Sequence, residues 1–200
     1  MRVFILAGEG RSFCSGMDLR AVIDDPPAMG TMLQKLAQVA QRIRALPVPT
    51  IARVQGAAVG GGCGLMIVCD FAFTHPEAKV GYPEVDLGVC PAVVAPWLIK
   101  KIGAGRARAM LLAGGTITGT QGFEAGLATH LCELDHLIEE THAFANNLAQ
   151  GGKVALATTK AWLNELDGSL DGDLLARGAD LSAKVIASDE AQKRLKKLYG

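Results

Sequence analysis

The stretch Thr50–Asp70, TIARVQGAAVGGGCGLMIVCD, constrains this chain more than any other. Thr50–Val54 is short, apolar and β-branched, which predicts a buried strand. Gly56 and the run Gly60-Gly61-Gly62 follow. Leu65–Cys69 is then apolar on every side, as in a short buried helix. Glycines at a helix entrance leave backbone N–H groups facing a cavity with no Cβ in the way. Such donors, aided by the helix dipole, can hold an anion or a developing oxyanion. Three named glycine motifs fail here. No register supplies G-x-G-x-x-G. Gly56 and Gly61 have the spacing of a phosphate loop, but Gly62 stands where its lysine belongs. G-x-S-x-G is absent. Close packing of helix on strand would explain the same glycines, so this stretch alone leaves both readings open.

The rest of the chain narrows them. Two hundred residues, half of them apolar and with zero formal charge, suit one soluble globular domain. They argue against nucleic-acid binding through a strong basic field. No apolar run reaches membrane-spanning length, and Met1–Leu6 lacks the architecture of a signal peptide. The scattered, odd set Cys14, Cys63, Cys69, Cys90 and Cys132 reads as reduced, packed thiols in a cytoplasmic protein. No C-x-x-C pair or H-E-x-x-H helix suggests a metal.

In order, Arg2–Ala7 predicts a strand and Ser12–Leu19 a loop. Pro26-Pro27 predicts a chain break before an amphipathic helix, Met29–Leu46, whose face includes Met29, Leu33, Leu36, Val39, Ala40 and Ile43. Phe71–Thr74 and Lys79–Tyr82 read as extended, and Pro83–Gly88 as a loop. Helices are expected over 95–102, 105–113, 135–148, 154–165, 171–187 and 189–199, with Thr118 capping another that runs to Gly126 and a short strand over 127–132. Alternation early and helices late predict an α/β core with a helical C-terminal part.

Three blocks in this order, GEGRSFCSGMDL (Gly8–Leu19), PVPTIARVQGAAVGGGCGLMIVCD (Pro47–Asp70) and AKVGYPEVDLG with Pro91 (from Ala78), resemble the crotonase, or enoyl-CoA hydratase/isomerase, superfamily. The resemblance implies a ββα spiral core over 1–130, with two roughly perpendicular sheets, and a helical region over 131–200 that builds a homotrimer or a dimer of trimers. It implies an acyl-CoA thioester as substrate and no separate cofactor. The amides of Met17 and Gly61 would hold the thioester oxygen as it becomes an enolate. Ser15, Gly16, Asp18 and Leu19, with Gly60 and Gly62, would line the CoA site. It also implies further strands and a helix ahead of Arg2–Ala7, without which a sheet edge would need covering.

The family's hydratases carry two glutamates. The first position is Gly64 here, and Glu84 occupies the second. A single carboxylate suffices to move a proton along an enoyl chain, so isomerisation competes with hydration. Ala92 stands where the dienoyl-isomerase branch expects an aspartate. Asp86 reads as a structural loop residue and Tyr82 as core or pocket wall, while the four histidines share no partner. The basic run Lys193, Arg194, Lys196, Lys197 reads as a solvated face that could approach a neighbouring subunit's CoA. The segments Ala21–Met32 and Ala92–Leu98 are expected to form the acyl pocket. A non-catalytic acyl-CoA-binding or assembly subunit is the alternative.

Overall fold

A computed structural model describes residues 1–19 and 23–199. Four parallel strands form the first sheet: β1 (Phe4–Ala7), β2 (Thr50–Val54), β4 (Phe71–Thr74) and β7 (His130–Leu131), in the order β1-β2-β4-β7. Ile5 pairs with Ile51, and Ile51 with Phe71. β2 lies inside, with Ile51, Ala52 and Val54 fully buried, as a parallel strand covered on both faces requires. The second sheet contains β3 (Ala58–Val59), β5 (Lys79–Gly81) and β6 (Thr116–Thr118), in the order β3-β5-β6. The predicted strands over 50–54 and 71–74 are present with those bounds. β3 and β6 are too short to show a period in the sequence.

α2 (Gly61–Val68) crosses from the second sheet back to the first, and Met66, Ile67 and Val68 bury themselves in the main core. The helix therefore begins within the glycine run rather than after it. α1 begins at Pro26 and runs to Arg44, which corrects the expected break at Pro26-Pro27. Prolines are tolerated in a first turn because the N–H groups they lack have no helical partner there, and Asp25 caps the end by accepting from the Ala28 N–H at 2.9 Å. The buried face of α1 is Met29, Leu33, Ala37, Ala40 and Ile43; Val39 points out.

α3 (Ala95–Ile102) and α4 (Ala104–Ala113) follow the second sheet. Thr118 caps α5 (Gly119–Glu124) in a reciprocal capping box with Gln121. The remaining helices are α6 (Leu137–Leu148), α7 (Lys153–Leu166), α8 (Gly172–Ile186) and α9 (Asp189–Tyr199). α8 and α9 close a second core, where Met29, Leu33 and Ala37 meet Ala179, Ile186 and Leu195. α7 is fastened by a partly buried ion cluster. Lys160 Nζ donates to Asp70 at 2.7 Å and to the Val48 carbonyl at 3.0 Å, and Arg44 bridges Asp70 and Asp167.

Candidate active site

A parallel bridge between Cys14 and Ala58 ties the first sequence block to the second. The Cys14 N–H donates to the Ala57 carbonyl at 2.9 Å, and the Val59 N–H returns to the Cys14 carbonyl at 3.0 Å. This approach explains two glycines. A Cβ on Gly62 would lie 2.1 Å from the Cys14 carbonyl oxygen, and one on Gly56 would lie 2.0 Å from that of Arg11. The turn before the bridge is held by Gln55, whose amide donates to the Gly8 and Ser12 carbonyls at 2.7 and 3.1 Å.

The third block enters through the second sheet. The Gly60 N–H donates to the Gly81 carbonyl at 2.8 Å, so Tyr82 and the turn Pro83–Val85 begin beside the α2 entrance. Gly60 has φ +57°, a left-handed conformation that a side chain disfavours; a Cβ there would also stand 3.2 Å from Glu84 Oε1. The Glu84 carboxyl therefore lies over the backbone that opens α2.

Ser15, Gly16, Met17, Leu19, Val59, Gly60, Gly61, Pro83, Glu84, Leu87 and Val89 line one cavity of about 150 Å³. Glu84 is its sole ionisable lining residue among the described residues. Glu84 Oε2 is buried without a hydrogen-bond partner among the described residues. Burial, reinforced by the nearby Asp86 carboxylate, raises the Glu84 pKa from 4.5 to about 7; a bond from its own backbone N–H opposes the rise. Such a carboxyl changes charge near neutrality, as an acid/base group must. Gly61 is the first residue of α2, so its N–H has no partner within the helix. Neither it nor the Met17 N–H donates to an acceptor among the described residues.

Of the predicted site residues, the fold brings Ser15, Gly16, Met17, Leu19, Gly60, Gly61 and Glu84 to this cavity. Asp18 is exposed in the same loop, off the cavity wall. Gly62 is buried against Cys14 and is not part of the lining of this cavity. Gly64 faces away from the cavity too: a Cβ there would meet Val94 Cγ1 at 2.6 Å. Val94, 3% exposed, thus occupies the space that a side chain at position 64 would enter. The sequence offered no signal for that pairing, because the two residues are thirty positions apart.

Among the described residues, neither expected acyl-pocket segment lines the cavity. Ala21 and Val22 lie outside the described residues, and Met29 is core. Ala92, Ala95 and Pro96 instead border a separate, largely apolar cavity of about 650 Å³ between α3 and α8. Leu19, Leu87 and Val89 supply the apolar wall near Glu84. Sequence reasoning missed Leu87 and Val89, although their spacing after Glu84 places them on the same turn. Tyr82 is core at 1% exposed. Asp86 is structural, accepting from the Gly115 N–H at 2.8 Å. Among the basic residues near the C-terminus, Lys196 pairs with Asp24 and Arg194 with Glu190, both at the surface.

Two sheets joined by a glycine-led helix bring the three sequence blocks to one cavity. The comparisons identify the family. The family described as enoyl-CoA hydratase/isomerase matches residues 1–198, and the chain belongs to that family. A putative enoyl-CoA hydratase of Thermus thermophilus is 31% identical over 173 residues, 84% of this chain and 68% of the relative. A 2,3-dehydroadipyl-CoA hydratase of Escherichia coli is 32% identical over 164 residues, 82% of this chain and 64% of the relative. The chain thus spans about two thirds of the length of such relatives. The crystal structure of an enoyl-CoA hydratase from Bacillus halodurans superimposes with a TM-score of 0.88 at 25% identity, covering 98% of this chain and 82% of that one. No group of histidine, cysteine or acidic residues suited to a metal occurs among the described residues. No helix described is long and apolar enough to cross a membrane.

Proposed function

We propose that this protein is an acyl-CoA-transforming enzyme that moves the double bond of an enoyl-CoA. The observation that carries the reading is the buried Glu84 carboxyl, poised near neutrality, as the sole ionisable group among the described residues of a cavity that Met17 and Gly61 also line. In a 3-enoyl thioester, ionised Glu84 removes a proton from C2. The electrons flow into the carbonyl, giving a dienolate whose negative oxygen accepts from the two N–H groups. Protonated Glu84 then returns the proton to C4, leaving the double bond between C2 and C3. No other acid, base or co-reactant is required. Each amide supplies roughly 3–4 kcal/mol to the charged state, and the general base about 10²–10⁴-fold in rate. The apolar wall of Leu19, Leu87 and Val89 keeps the local dielectric low, which strengthens both effects.

Hydration is the second reading, favoured by relatives named as hydratases. It would require Glu84 both to activate water and to return a proton. The substrate is an acyl-CoA thioester in either case, with no cofactor beyond the CoA it carries, in a cytoplasmic homotrimer or dimer of trimers. A non-catalytic acyl-CoA-binding subunit is the reading outside enzymology.

The test is turnover in deuterated water with a short 2-enoyl-CoA and a 3-enoyl-CoA, followed by mass spectrometry. A shifted double bond with no added water supports the single-base isomerase. A product heavier by one water supports hydration instead. Binding of CoA esters without turnover of either overturns both.

A further inference from the structure

A second polar cavity, of about 160 Å³, lies at the far end of α2 from the amides described above. Arg44, Ile67, Asp70, Trp97, Lys100 and Lys101 line it. At about 1.5 Å per residue, the eight residues of α2 place it roughly 12 Å from the α2 entrance. Two of its donors are buried without a partner among the described residues: Trp97 Nε1, on a side chain 3% exposed, and Arg44 Nε. A buried N–H without an acceptor is costly, so two at one cavity call for a common acceptor.

Charge points the same way. Three cations and one carboxylate line the cavity. Asp70 is already engaged, by the Thr50 N–H and hydroxyl, by Lys160 and by Arg44. The Arg44 carbonyl, at the end of α1, accepts from Asn164 Nδ2 at 3.1 Å, and Lys100 donates to the Asp167 carbonyl. Lys101 forms no ion pair with a described residue, and burial together with the Arg44 charge weakens its hold on its proton. An anion in the cavity would reverse that penalty. At roughly 30 Å³ per water, the space holds several waters and is ample for a small oxyanion.

We propose that this cavity binds a small tetrahedral oxyanion of the phosphate or sulfate class, which accepts hydrogen bonds from Trp97 Nε1 and Arg44 Nε and is charge-paired with Lys101. The bound ion ties α1, α2 and α3 together and is separate from the acyl-CoA site. It rests on donors and charges that the proposed chemistry does not use.

The experiment is calorimetric titration of the full chain with inorganic phosphate and, separately, sulfate, each at millimolar concentration against chloride at equal ionic strength. Thermal unfolding is followed alongside. The wild type should bind one ion per chain saturably, with a parallel rise in Tm. Lys101→Met should weaken binding by about tenfold or more, and Trp97→Phe, which keeps an aromatic ring and removes the donor, should weaken it several-fold. Absence of saturable binding in the folded wild type would mean that the cavity holds water only, and would overturn the proposal. So would equal affinity in wild type and both variants, which would place the ion elsewhere.

Discussion

Glu84→Gln separates a carboxyl buried for chemistry from one that merely decorates a loop. In the folded chain this group has a pKa of about 7, against an ordinary 4.5. The native state therefore holds the proton more tightly than the unfolded chain between those two values. Stability must fall as pH rises through that window and level off above about 7. Below the unfolded pKa both states are protonated, and the penalty vanishes. The full shift corresponds to about 3 kcal/mol, a ceiling because water entering the cavity lessens it. Glutamine has the same shape and no charge, so its own packing cost is independent of pH. Denaturant unfolding of both proteins at pH 4.5 and 8.5 should show the stability difference moving in favour of Gln by about 1–3 kcal/mol at the higher pH. In a chain of this size that is roughly 2–12 °C in Tm. Turnover should drop by about 10²–10⁴-fold while CoA-ester binding persists. Parallel stability curves at the two pH values would refute the reasoning, because they would mean that the carboxyl is solvated in the native state.

Other perturbations probe the scaffold. Wild-type turnover should rise with pH through about 7 and follow the ionisation of Glu84, which a pH–rate profile under single-turnover conditions checks. Gly62→Ala sets a Cβ against the Cys14 carbonyl at 2.1 Å, so the Cys14–Met17 loop must shift; activity should be lost with a marked fall in Tm, measured by assay and thermal scan. Asp70→Ala leaves Lys160 and Arg44 without their shared carboxylate and should cost roughly 3–5 kcal/mol in denaturant unfolding. Thr118→Ala removes half of a capping box at the start of α5 and should cost about 1 kcal/mol with activity retained.

Local chemistry determined what the sequence alone could show. β2 and β4 were legible because buried parallel strands are short apolar runs, and α5, α8 and α9 because their capping and charge signals lie in adjacent residues. That Glu84, Met17 and Gly61 meet at one cavity was legible through block motifs that resemble a known family. The tertiary structure decided what depends on residues far apart in the chain. β3 and β6 exist only because neighbouring strands accept their hydrogen bonds. Gly62 is required by the Cys14 carbonyl, and Gly64 by Val94, neither of which a local window contains. The same holds for the carboxyl itself. A glutamate in a Pro-Glu turn is ordinarily solvated, and the neighbouring Leu87 alone does not enclose it. The Gly60 backbone and the apolar wall of Leu19 and Val89 close over it after folding, and that desolvation moves its charge change toward neutrality.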